Sequence, residues 1–259
     1  MEKESSKILE AKKLAIGYKE TTVCQNINFN LYAKELCAVV GINGIGKSTL
    51  LRTLGKLQSK LEGTILIKEQ TLESYTPSNL AKQSSLVLTE AIASKNLTVK
   101  ELITLGRQPH TNWMGMLSKL DEKHINDSIT NFKLEEVTHK KCHELSDGQL
   151  QRVLIARAVA QNTALILLDE PTTHLDLYHK VQILKLLQDL AHTHNKTIVF
   201  TTHEINLAIQ LCDKILILGE NENYFGTPSD LIEKGCFEML FPSEMIHFDT
   251  KAGSFKVNK

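Results

Sequence analysis

The chain has 259 residues, of which 42% are hydrophobic and 23% charged, with 30 Lys plus Arg against 30 Asp plus Glu. That composition excludes collagen-like, mucin-like and wholly disordered chains, and the length allows one large domain or two small ones. Zero formal charge lacks the basic excess on which nucleic-acid binding rests, so no nucleic-acid partner is expected. The five cysteines, Cys24, Cys37, Cys142, Cys212 and Cys236, form no Cys-x-x-Cys pair, which fits a reducing compartment. Residues 1–13 are charged and lack the apolar stretch of a signal peptide. No run approaches the ~20 apolar residues needed to cross a bilayer, so any membrane role is expected to pass through a partner.

Along the chain, 27–31 alternates apolar and polar as a half-buried strand should. The continuous apolar run 36–40 ends in glycine and reads as a buried central strand. A helix is expected from 47 to about 57, and strands at 64–67 and 85–88. From about 90 to 159 the pattern turns helical, with helical spacing over 99–105, 124–132 and 149–159 and a loop marked by Pro109, Asn112 and Gly115. Strand–helix alternation then returns: a strand at 164–168, a helix at 178–194 with Val181, Leu184, Leu187 and Leu190 on one stripe, a strand at 198–200, a helix at 205–211 and a strand at 215–218. The tail from Gly226 reads as helical and irregular. This order predicts an α/β sheet with a helical insertion.

Between the buried strand and the next helix lies Gly41-Ile42-Asn43-Gly44-Ile45-Gly46-Lys47-Ser48-Thr49, a match to G-x-x-x-x-G-K-[ST]. The glycines let successive backbone N–H groups face one anion, and the helix N-terminus adds partial positive charge. Lys47 is expected to reach the β and γ phosphates, and the Ser48 hydroxyl to ligate Mg²⁺, a hard ion that takes oxygen. By composition such a match arises in only about one chain of this length in a hundred. No N-K-x-D segment for guanine is present.

The apolar strand 164–168 ends in Asp169 and Glu170. Burying charge is costly, so two adjacent acids at such an edge point to a ligand crevice. Asp169 is expected to hold the metal, and Glu170 to polarise an attacking water. Upstream, Leu145-Ser146-Asp147-Gly148-Gln149 precedes a helix, with Ser146 or Asp147 as its cap and an N-terminus able to meet phosphate.

With phosphate loop, Ser-Asp-Gly-Gln turn and acidic strand in that order, the chain resembles the ATP-binding-cassette (ABC) ATPase family, whose signature usually reads LSGGQ. The resemblance covers nearly the whole chain. It implies an α/β fold in which a P-loop NTPase core, a mixed sheet with flanking helices and an N-terminal antiparallel β part, spans 1–259 as a single domain. A helical subdomain is inserted at approximately 90–160 within this RecA-like core. It also implies that Tyr18 stacks on adenine, that Asn43, Gly44, Gly46, Lys47, Ser48 and Thr49 hold the nucleotide, that Asp176 lies in the loop crossing to a partner subunit, and that His203 senses the γ-phosphate. The implied catalytic set is Glu170, His203 and Lys47. In a head-to-tail homodimer, Ser146, Gly148 and Gln149 would complete the partner's site. The remaining histidines, including His139 and His143 beside Cys142, are read as structural.

Two positions depart from the family pattern. Asp147 replaces the first signature glycine and is expected to point away from phosphate and cap its helix. The glutamine that usually follows the strand near 84–88 is absent; Thr89 stands nearest, and Glu90 is the other oxygen donor for the metal. The segments 97–110, 173–176 and 226–231 resemble the importer subunits for iron–siderophore, haem and cobalamin uptake. The implied activity is ATP hydrolysis driving import, with ATP and Mg²⁺ as cofactors. Separate integral-membrane permease subunits are implied, with a substrate-binding protein indirectly, at the cytoplasmic face of the cell membrane. The alternative is a soluble ABC ATPase of the metal-cluster assembly type.

Overall fold

The computed structural model describes residues 6–19, 21–89, 95–241, 245–250 and 252–258. The chain opens with two long strands, β1 (Lys7–Tyr18) and β2 (Thr21–Tyr32), paired antiparallel. In β2, Ile27, Phe29 and Leu31 are buried while Asn28 is exposed, as its alternation requires. Strand β3 (Leu36–Val40) is buried throughout and leads through the glycine loop into α1 (Lys47–Leu54). Strands β4 (Glu62–Ile67) and β5 (Gln70–Thr71) complete a four-stranded antiparallel sheet in the order β2-β1-β4-β5.

After the short α2 (Pro77–Leu80) and β6 (Ser84–Val87) comes a helical stretch: α3 (Val99–Thr104), a 3-10 segment at Leu105–His110, α4 (Lys119–Asn131) and α5 (Asp147–Ala160). The expected helices are all present, but α4 begins five residues earlier than its apolar spacing suggests. Ser118 and Asp121 form a capping box there, a start signal that apolar periodicity does not register. The core resumes with β7 (Leu165–Leu168), α6 (Leu177–His192), β8 (Thr197–Thr201), α7 (Ile205–Leu211) and β9 (Lys214–Ile217). The tail holds β10 (Tyr224–Gly226), α8 (Pro228–Glu233) and a hairpin of β11 (Ile246–Asp249) and β12 (Ser254–Val257). The hairpin corrects the helical reading of the tail: Phe248 and Phe255 meet edge to face at 5.0 Å, and Phe248 stacks on Phe237, so cross-strand aromatic contact stabilises strands that local pattern does not show.

The second sheet runs β10-β9-β3-β8-β7-β6, parallel except for the antiparallel edge β10. Its strands separate two cores by their period of two. Leu36, Ala38 and Val40 face one core with Ile166, Leu168, Ile198 and Phe200. Cys37 and Val39 face the other with Leu165, Leu167 and Val199. A strand packed on both faces is apolar along its length, which is why β3, β7 and the 198–200 stretch of β8 read as unbroken runs. All three deliver their C-terminal ends to one edge, where the glycine loop, Asp169 and Thr201 lie.

Candidate nucleotide site

The glycine loop encloses the Lys47 side chain, whose Nζ donates to the carbonyls of Gly41 (2.9 Å) and Ile42 (3.1 Å). Gly46 has φ 109°, and a Cβ there would stand 2.8 Å from Val23 Cγ1, so only glycine suits the position. Gly44 also has positive φ, 82°, in open space. Helix α1 starts with neither a side-chain cap nor an acid in its first turn, whereas α3, α4 and α5 all begin with capping boxes. Its first N–H groups therefore keep their capacity for an anion. Burial pulls the Lys47 ammonium below its ordinary pKa, with Glu170 and Asp169 opposing.

Facing this loop, the buried Asp169 follows β7. Its Oδ1 accepts from Ser48 Oγ at 3.0 Å and from Thr201 Oγ1 at 2.7 Å; its Oδ2 accepts from Thr89 Oγ1 at 3.4 Å. These are hard oxygen donors. Oxygen is the donor type Mg²⁺ takes, so the chemistry of the set fits that ion. Glu90 lies outside the described residues.

Glu170 is held in the left-handed region, φ 45°. Its Oε2 accepts from Thr173 Oγ1 at 2.8 Å, and its Oε1 lies 2.7 Å from His203 Nε2. Burial raises the Glu170 pKa, but hydrogen bonds from Thr173 and His203 and the charge of Lys47 outweigh it, and the net shift is downward. The group is thus a carboxylate at neutral pH, and His203 donates to it. Asn43, Gly44, Gly46, Lys47, Ser48, Thr49, Glu170 and His203 line one cleft of about 180 Å³.

Other predicted site residues lie around this centre. Tyr18 ends β1, half-exposed, with its hydroxyl 3.3 Å from Thr49 Oγ1. Ser146, Gly148 and Gln149 stand at the start of α5 and are not among the residues lining the cleft. Ser146 is the cap, accepting from Gln149 N at 3.3 Å while Gln149 Oε1 accepts from Ser146 N at 3.1 Å. This corrects the cap role expected of Asp147, which is exposed at the first helical position; a carboxylate there complements the helix dipole without capping. Asp176 caps α6, accepting from the backbone N and Nδ1 of His179, both at 2.9 Å. Thr173 enters the sequence expectations only through the 173–176 resemblance and Thr201 not at all; the one signal for Thr201 is a threonine at the end of an apolar strand.

A glycine loop of the G-x-x-x-x-G-K-[ST] pattern on a parallel sheet, faced by a cluster of oxygen donors and a carboxylate–imidazole pair, is the arrangement of a P-loop ATPase. The ABC transporter family profile matches residues 24–173. The chain belongs to the ABC transporter family and is an ATP-binding, ATP-hydrolysing member of it. It is 35% identical to the petrobactin import ATP-binding protein FpuD of Bacillus anthracis over 92% of this chain and 88% of that protein. It is 31% identical to the ferric enterobactin transport ATP-binding protein FepC of Escherichia coli over 97% and 93%. A solved inward-facing structure assigned to the metal-chelate type of ABC transporter covers 96% of this chain and 95% of its own, with a TM-score of 0.79 and 30% identity. A dimeric ATP-binding cassette bound to ADP and Pi after hydrolysis aligns with a TM-score of 0.71 and 29% identity over 84% and 98%. Among the described residues no helix is long and apolar enough to cross a membrane.

Proposed function

We propose that the chain is the ATPase subunit of an importer for iron chelates, acting as a homodimer beneath separate permease subunits at the cytoplasmic face of the membrane. A substrate-binding protein would deliver the chelate. The observation that carries the reading is the single cleft in which Lys47, Ser48, Glu170 and His203 converge, in a chain whose relatives include proteins named for petrobactin and ferric enterobactin.

Lys47 and the N–H groups at the start of α1 bind the β and γ phosphates, and Asn43, Gly44, Gly46 and Thr49 shape that cradle. Tyr18 packs on the adenine. Ser48 and Asp169, with Thr89 alongside, would hold Mg²⁺, which neutralises phosphate charge when bound. Glu170 accepts a hydrogen bond from the attacking water and takes its proton. His203 orients that carboxylate and faces the γ-phosphate. Most of the rate enhancement comes from positioning and charge stabilisation.

Ser146, Gly148 and Gln149 stand together at the start of α5, whose N-terminus a second copy would bring to the cleft. One triphosphate then receives two helix N-termini, those of α1 and of the partner's α5. ATP closes the pair and hydrolysis removes the bridge, a shift driven by differential affinity for the closed state. Asp176, at the head of α6, belongs to the loop that crosses between subunits. The helical segment at about 90–160 forms the subdomain that docks the permease and moves with it.

The test is to purify the chain from membranes, reconstitute it with the permease that co-purifies, and follow uptake of ferric siderophores, haem and cobalamin. We expect ATP-dependent uptake of a ferric siderophore, abolished by Glu170→Gln. ATPase activity that neither co-purifies with a permease nor responds to any chelate would overturn the reading.

A further inference from the structure

Thr201 is the last residue of β8 and is fully buried. Strand β8 lies between β3, which runs into the glycine loop, and β7, which runs into Asp169. The Thr201 hydroxyl therefore sits where the two halves of the site meet. It makes two bonds: the backbone N–H of Glu170 donates to Oγ1 at 2.8 Å, and Oγ1 donates to Asp169 Oδ1 at 2.7 Å.

A hydroxyl has one proton. Here it goes to Asp169 Oδ1 while the Glu170 N–H donates to the same hydroxyl oxygen, so one side chain fixes the backbone of one acid and a carboxyl oxygen of the other. Ser48 Oγ approaches that carboxyl oxygen at 3.0 Å. The second bond acts on Glu170 through its backbone. Residue 170 has φ 45°, a conformation that persists only where neighbouring contacts enforce it. The bond from Thr201 does so from inside the sheet, at the Glu170 N–H; Thr173 N–H holds the Glu170 carbonyl at 3.2 Å from the turn that follows, and His203 acts only on the carboxylate.

We propose that Thr201 is a positioning residue that separates the tasks of the two adjacent acids: it fixes the orientation of the Asp169 carboxyl beside Ser48 and turns Glu170 to face the cleft. The proposal rests on the roles given above to Asp169 and Glu170. It places the coupling on a side chain that is fully buried and outside the cleft lining.

Thr201→Val keeps the volume and β-branching and removes only the hydroxyl. The full chain is assayed for ATP turnover, for melting temperature, and for binding of a fluorescent ATP analogue with and without Mg²⁺. We expect kcat to fall about tenfold or more, the cost of losing a bond to a charged group together with a strained backbone. Binding without Mg²⁺ should be unchanged, the affinity gained on adding Mg²⁺ should shrink, and Thr201→Ser should restore both. A Thr201→Val chain with kcat and Mg²⁺ response within twofold of the parent overturns the proposal. So does a Thr201→Ser chain as impaired as Thr201→Val, because volume and not the hydroxyl would then be responsible. Glu170→Gln runs alongside: if it retains full turnover, the assignment of Glu170 itself is wrong, whereas an inactive Glu170→Gln with a normal Thr201→Val defeats only the role of Thr201.

Discussion

Glu170 combines two costs, a left-handed backbone and a partly buried carboxylate, and both are offset by bonds to Thr201, Thr173 and His203. Such concentration of strain is typical of a working site. Replacing Glu170 with Gln keeps the shape and removes the base, so turnover measured as phosphate release should fall at least about a hundredfold while ATP binding survives. Gly46→Ala should fail differently. Its Cβ would press on Val23 at a φ that L-residues avoid, costing about 1–3 kcal/mol, and nucleotide binding should be lost together with thermal stability. Asp147→Gly should leave turnover within a few-fold, since Ser146 already caps the helix; a large gain would show that the Asp147 anion opposes phosphate.

The helical segment is tied together by one buried ion pair. Arg107, in the 3-10 turn after α3, meets Asp121 in the first turn of α4 at 2.8 Å through both Nε and Nη2, and donates through Nη1 to Ala160 at the end of α5 at 2.7 Å. Burial pushes the Asp121 carboxyl up, but bonds from Ser118 and Arg107 overcome this and bring its pKa to about 2. A depressed carboxylate stabilises the fold above its unfolded pKa, ~3.9, and that stability is lost as pH falls toward 2. Urea midpoints should therefore differ between the parent and Asp121→Asn at pH 6 and draw together as pH falls from about 4 to about 2. Arg107→Met, which leaves Asp121 buried without its ion-pair partner, should cost about 3–5 kcal/mol at neutral pH in the same experiment.

At the scale of the molecule, the proposed dimer makes the cleft and the start of α5 two half-sites that two copies would join. This predicts complementation. A Lys47→Ala chain and a Ser146→Arg chain should each be inactive alone. Mixing them yields heterodimers with one intact composite site, so phosphate release should reappear. If mixing restores nothing while each variant still binds its parent chain, the shared-site arrangement is wrong. Glu170→Gln should also shift from monomer to dimer with ATP by light scattering, and revert with ADP.

The glycine loop, the acids after β7 and the strands that carry them were legible in the residue order, because each depends on local chemistry: φ freedom at Gly44 and Gly46, continuous burial of 36–40, charge at the end of an apolar run. Family pattern added Ser146, Gly148, Gln149, Tyr18, Asp176 and His203, which local chemistry alone leaves ambiguous. The bond of Thr201 to residues 31 and 32 positions away, the pairing of Phe248 with Phe255 and the Arg107–Asp121 bridge came only with the folded chain. Each joins side chains from separate elements, so its energy depends on distances that packing creates, and no periodicity or propensity along the chain carries that information.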